Sequence, residues 1–134
     1  MLYVSCYGTG ELKQYDVTDP AHPRQVGSVR LGGIAGREPH PASPAERLAG
    51  GPQMVEVSRD GRRVYLTNSL YGAWDDQFYP HGVGAWMAKI DTDPAGGMEL
   101  NQRFFPRGSD FRGLRVHQVR LQGGDASSDS YCYR

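Results

Sequence analysis

The stretch that most constrains this chain is Gln53 to Thr67, which reads Gln53-Met54-Val55-Glu56-Val57-Ser58, then Arg59-Asp60-Gly61-Arg62, then Arg63-Val64-Tyr65-Leu66-Thr67. The first segment alternates residue by residue, with Met54 and Ser58 on one face and Val55 and Val57 on the other. The second also alternates and is rich in the β-branched and aromatic types that suit a pleated surface. An Asp-Gly pair between two such segments is a strong hairpin signal, because glycine takes the positive φ that the tight turn needs. An antiparallel hairpin is therefore expected here on local chemistry alone.

The rest of the chain gives that hairpin only strands to join. Among 134 residues are 18 glycines and 9 prolines, so helices must be few and turns many, and no long 3.6-residue or heptad period appears. An all-β domain of modest size is the natural expectation. The 15 basic and 15 acidic side chains cancel, which argues against the basic footprint of a nucleic-acid or membrane-surface binder. No apolar run approaches the roughly 18 residues of a spanning helix, and no signal-peptide pattern opens the chain. Two cysteines, Cys6 and Cys132, make neither a disulfide framework nor a CxxC pair, and two free thiols are favoured over a bridge.

Taken in order, Leu2–Tyr7, Glu11–Thr18 and Gln25–Leu31 read as three short strands joined by Gly8-Thr9-Gly10 and by Asp19-Pro20-Ala21-His22-Pro23. Gly32–Leu48 has no period and reads as a long surface connection. Ser69–Gly84 reads as a second insertion, whose Tyr71, Trp74, Phe78 and Tyr79 are expected to pack down onto the body. Ala85–Thr92 and Met98–Phe105 read as strands around an Asp93-Pro94 turn. Pro106–Arg115 reads as a polar loop, and Val116–Gln122 as a last strand before a turn-rich tail. An internal echo runs through this order. Leu2-Tyr3-Val4-Ser5 precedes a strand ending in Asp19-Pro20, as Val64-Tyr65-Leu66-Thr67 precedes one ending in Asp93-Pro94. Repeats of short antiparallel strands are the mark of β-propeller blades. The expected division is a partial blade over residues 1–31, a loop over 32–49, a blade over 50–106 with its insertion at 69–84, and a final strand and tail over 116–134. That is about two blades, whereas a closed ring holds about four to eight.

The segments GGPQMVEVSRDGRRVYLTNSLYGAWDDQFYP, LYVSCYGTGELKQYDVTDP and HQVRLQGGDASSD resemble the C-terminal part of the selenium-binding protein family, which includes methanethiol oxidases. The resemblance runs over nearly the whole chain and is weakest at Gly32–Leu48. It implies a seven-bladed propeller of which these are the final blades. It also implies a copper-dependent oxidation of methanethiol, with oxygen and water, to formaldehyde, hydrogen sulfide and hydrogen peroxide. The family's cysteine-containing selenium-binding segment is missing here, and Ala126 stands where some relatives carry cysteine. No selenium-binding residue is therefore assigned to this chain.

His117 is the leading candidate metal ligand. It shares a face with Val119 and Leu121 and is expected to point inward, where the innermost strands of several blades could each bring one imidazole to a copper ion. The competing reading is a core histidine satisfied by a backbone carbonyl. His81, after Pro80, is a weaker candidate, and Asp75, Asp76 and Trp74 could orient a ligand or a metal-bound water. His22 and His40 are expected to be solvated turn residues. Asp125, Ser127, Ser128 and Asp129 superficially resemble a calcium loop but lack its glycine and distal glutamate, and turns explain them better.

Two functions follow. One is the C-terminal portion of a copper-dependent thiol oxidase, inactive alone, whose partners are methanethiol and the remaining blades. The other is a non-catalytic propeller piece acting as an interaction, selenium- or metal-binding module. Cytoplasmic location is favoured, with the periplasm open because the native N-terminus is expected to be missing.

Overall fold

The computed structural model describes residues 1–35, 37–68 and 71–117 and the backbone of residues 126–127. Strands β1 (Leu2–Cys6), β2 (Glu11–Asp16) and β3 (Arg24–Arg30) form an antiparallel meander. Alternation along β2 buries Leu12 and Gln14 completely. A bulge between Gln14 and Tyr15 sets Gln14 opposite Gly27, where a Cβ would press on the Gln14 amide. Two short strands, β4 (Pro39–His40) and β5 (Ser43–Arg47), pair as a small hairpin. Strands β6 (Met54–Ser58), β7 (Arg63–Thr67), β8 (Met87–Thr92) and β9 (Met98–Leu100) make a second meander, with β10 (Ala126–Ser127) pairing along β6. A seven-residue helix, α1 (Gly72–Phe78), and a 3-10 turn over Gly108–Phe111 complete the described elements. The chain is all-β in class, as the sequence implies.

The β6–β7 hairpin forms as its sequence dictates. Gly61 has φ 67° and its N–H donates to Ser58 O at 2.9 Å. The Asp60 carboxylate accepts from Ser58 Oγ at 2.6 Å and from the Arg62 N–H at 3.0 Å. The internal echo is also real in three dimensions. Asp19 and Asp93 each accept, through Oδ1, the N–H two residues on, at 3.0 and 2.8 Å. Each also accepts, through its backbone carbonyl, the N–H three residues on. Thus β1-β2-β3 and β7-β8-β9 are two copies of one meander with one turn chemistry.

The core lies where the two sheets meet. Leu12, Val29 and Leu31 come from the first sheet, Val64, Leu66, Ala88 and Ile90 from the second, and Leu48 and Trp86 close one end. Gln14 joins the sheets inside this apolar contact. Its Nε2 donates to Asp93 O at 3.1 Å, and its Oε1 accepts from the Gly97 N–H at 2.8 Å. A buried amide so bonded ties the second copy's turn to the first copy's middle strand.

The structure departs from the sequence reading at the two long connections, at the last strand and at His117, which is exposed instead of facing inward. Residues 32–48 are not a featureless loop, since they carry β4 and β5. His40 is accordingly fully buried and is not a solvated turn residue: the hairpin folds it against Phe105, ring centroids 4.0 Å apart and 4° from parallel. Three of the four aromatic side chains of the insertion do not pack down either, whereas Tyr79 is half-buried against Tyr7. Tyr71, Trp74 and Phe78 are 58%, 57% and 67% exposed, lined up at positions i, i+3 and i+7 on the outer side of the α1 turn. The expected strand from Val116 is absent at Val116 and His117, and its remainder lies outside the described residues. So do Cys132, Asp125, Ser128 and Asp129. Cys6 is a free thiol. His22 is exposed, as expected, beside Asp19 at 2.8 Å. No described helix is long and apolar enough to cross a membrane.

Candidate functional site

The residues singled out from the sequence gather where β7 ends. Thr67 and Asn68 leave the sheet buried. Asn68 is held by three backbone groups: its Oδ1 accepts from the Trp86 N–H at 3.0 Å, and its Nδ2 donates to Ala49 O at 3.1 Å and to Gly84 O. The chain then enters α1 from Tyr71. The helix is short for local reasons. Its Trp74 and Phe78 are exposed, Tyr79 closes it by donating to Asp75 O at 2.8 Å, and Pro80 cannot continue it.

Asp75 is the one buried side chain of α1. Its Oδ2 accepts from Arg115 Nη1 at 3.3 Å, and the same guanidinium nitrogen donates to Val83 O at 3.0 Å. Asp76 is exposed and lies 3.9 Å from Arg115 Nη2. Gly72 packs so closely on Arg115 that a Cβ would stand 3.2 Å from Nε. Arg115 thereby straps α1 to the segment leading into His117. Beside this pair, the Tyr7 phenol is raised above its ordinary range, first by burial and then by its hydrogen bond with Tyr79. That contact carries the first sheet to the same corner.

His117 is exposed. Its backbone carbonyl accepts from Thr67 Oγ1 at 2.8 Å, and its ring stacks on Tyr71 with centroids 5.8 Å apart and planes 21° from parallel. Among the described residues neither ring nitrogen makes a hydrogen bond. His81 is exposed in the turn that Gly82 closes on Tyr79. Trp74 is exposed beside Tyr71 and Phe78. The structure therefore unites Asp75, Asp76 and His117 through Arg115 and Tyr71, and leaves His81 apart in its own turn. Among the described residues no group of three or more His, Cys, Asp or Glu side chains is placed to hold a metal ion.

A separate cleft of about 460 Å³ lies between the β4–β5 hairpin and the 3-10 turn. Leu48, Val83, Trp86 and Phe105 are among its apolar lining residues, and Arg107, paired with Glu46 at 3.0 Å, stands at its edge. It touches the His117 corner through Arg115. Sequence reasoning missed Arg115, Tyr7 and the role of Tyr71. The signal for Tyr71 was present, since 71, 74 and 78 follow helical spacing.

The repeated antiparallel meanders with one short helix place the chain in the all-β class. The 56 kDa selenium-binding protein family (SBP56) matches residues 1–132, and the chain belongs to that family. It is 42% identical to bovine (Bos taurus) methanethiol oxidase and 40% identical to the human (Homo sapiens) methanethiol oxidase, over 96% of this chain in each case. It is 38% identical to mouse (Mus musculus) selenium-binding protein 2, also over 96% of this chain. The chain spans 31% of the length of each of these relatives. A hypothetical selenium-binding protein from Sulfolobus tokodaii, solved by X-ray crystallography, superposes with a TM-score of 0.83 at 55% identity. That match covers 98% of this chain and 28% of the other.

Proposed function

We propose that this chain forms the last blades of a β-propeller methanethiol oxidase and brings His117 to a copper site completed by further blades. The observation that carries the reading is the identity of about 40% to methanethiol oxidases across 96% of the chain. The reaction proposed is that of methanethiol with oxygen and water to give formaldehyde, hydrogen sulfide and hydrogen peroxide. The donor chemistry of the corner suits copper: imidazole nitrogen is a good ligand for it, and the His117 nitrogens are not engaged by described neighbours. His117 would hold the metal, with His81 the second candidate, and copper when bound supplies a centre that cycles between oxidation states. The chain's own residues do the rest by placement. Thr67 fixes the His117 backbone, Arg115 neutralises Asp75, and Asp76 and Trp74 stand at the solvent side, where they can order water.

Copper titration of the full-length polypeptide and of its His117→Ala variant tests this reading. Reduced metal stoichiometry and turnover are expected, and unchanged values would overturn the role of His117. The 134-residue chain alone is expected to produce no hydrogen peroxide from methanethiol, and detectable production would refute the need for other blades.

A second reading rests on one observation. Among the described residues strand β1 is paired on one side only, in the order β1-β2-β3, and an open edge is a template for another strand. In that reading the chain is a non-catalytic interaction piece. A monodisperse, monomeric and cooperatively folded isolated chain would sink it.

A further inference from the structure

We propose that Tyr71 is the positioning residue for the His117 imidazole, held at its station by the Asp75–Arg115 strap. This inference rests on the reading of His117 as a metal ligand. Two contacts define where the imidazole lies. Thr67 Oγ1 grips the His117 carbonyl at 2.8 Å, which fixes the backbone, and the Tyr71 ring lies offset against the imidazole, centroids 5.8 Å apart and planes 21° from parallel. The lone pairs by which imidazole binds metal lie in the ring plane. A partner on the face therefore restricts rotation without competing for the nitrogens, whereas a hydrogen-bonding partner would occupy one of them. Restricting a ligand's rotamers before binding lowers the entropy lost on binding.

Tyr71 can do this only if it is itself placed, and its own ring, like those of Trp74 and Phe78 in α1, stands in solvent. The strap supplies the placement. Asp75 is buried and receives Arg115 Nη1 at 3.3 Å. The same guanidinium bonds Val83 O, and Gly72, next to Tyr71, lies flat on the Arg115 side chain. Arg115 is two residues before His117, so one side chain locks α1, which begins next to Tyr71, to the segment bearing His117. Both stacked rings are exposed, so their contact serves geometry more than folding. The other histidine stack in the molecule has the opposite character. His40 is buried against Phe105, and its Nδ1 is occupied by the Ala42 N–H at 3.0 Å.

The test is copper(II) binding by the full-length polypeptide, read as a competition Kd and as the electron paramagnetic resonance hyperfine pattern. Wild type, His117→Ala, Tyr71→Ala and Tyr71→Phe are compared. Tyr71→Ala is expected to weaken copper binding at least about tenfold, as loss of a ligand-orienting partner commonly does, and to alter the hyperfine pattern. Tyr71→Phe keeps the face and is expected to stay within about twofold of wild type. If His117→Ala loses affinity while Tyr71→Ala keeps it, positioning by Tyr71 is wrong and the metal reading stands. If His117→Ala binds copper as wild type does, the metal reading fails and this inference with it. Damage in Tyr71→Phe equal to that in Tyr71→Ala would also overturn the stacking account.

Discussion

The β4–β5 hairpin and the α1 corner each lay a histidine ring on an aromatic ring, and the two contacts do different work. At the hairpin, His40 is buried and parallel to Phe105, which packs against the core. At the corner, His117 and Tyr71 are both wet, and the order comes from hydrogen bonds and an ion pair beneath them. The lesson is that ring geometry alone does not tell a packing histidine from a presented one. What separates them is the surroundings: apolar burial with one ring nitrogen bonded to backbone, against an open ring edge on a polar strap.

The largest effect that probes this contrast is Phe105→Ala. It removes the wall behind His40 and a partner of Trp86, and is expected to lower stability by about 3 kcal/mol, as large aromatic truncations in cores do. Tyr71→Ala should stay within about 0.5 kcal/mol, as exposed substitutions do. Equal shifts in the two urea-unfolding midpoints would erase the distinction. Next is Asn68→Ala, at the junction of the two regions. It strands the buried Trp86 N–H and removes a donor from the Gly84 and Ala49 carbonyls, the latter keeping the Trp86 Nε1–H at 2.9 Å, and about 2 kcal/mol should be lost. A midpoint that did not move would mean the three bonds contribute nothing.

Asp75→Asn is expected to cost less, about 1 kcal/mol, because the amide still accepts one hydrogen bond from Arg115. Its sharper mark should be faster amide hydrogen exchange at Tyr79, whose N–H closes α1, with exchange in β7 unchanged. Exchange that rose equally everywhere would show that the strap is not local.

The smallest effect is a pH slope. Burial holds the His40 imidazole below its ordinary pKa, so between that lowered value and about 6.5 the unfolded chain binds more protons than the folded one. This contribution to stability is whole above about pH 6.5. It declines as pH falls toward the folded value and levels off below it. Urea midpoints at pH 7.5 and 5 should show the decline, and His40→Phe should flatten it. A slope that survives in His40→Phe belongs to other groups.

Much of the fold was legible because its determinants are local. Asp60-Gly61 between alternating segments makes the hairpin wherever it is placed, and the two Asp-Pro turns repeat because an aspartate can accept the amide two residues on in any context. The failures have a common origin. Pro39-His40 looked like solvated loop because neither residue sits in a periodic run. Phe105, sixty-five residues away, supplies the ring on which His40 stacks. Tyr71, Trp74 and Phe78 looked like core because apolar side chains usually find cover, and here no described element lies against that side of α1. At the candidate site, His117 was visible as a residue type. Its contacts were not, since Thr67 and Tyr71 come from a distant segment of the chain.

The sequence by itself determined the all-β class, the repeated meander, the hairpin and the family, because strand alternation, turn chemistry and long motifs are properties of contiguous residues. Tertiary structure alone decided which histidine is buried and which is presented, and that Arg115 joins Asp75 to the His117 segment. Burial and hydrogen-bond partnership depend on what other parts of the chain bring to a point in space, and no stretch of sequence contains that about itself.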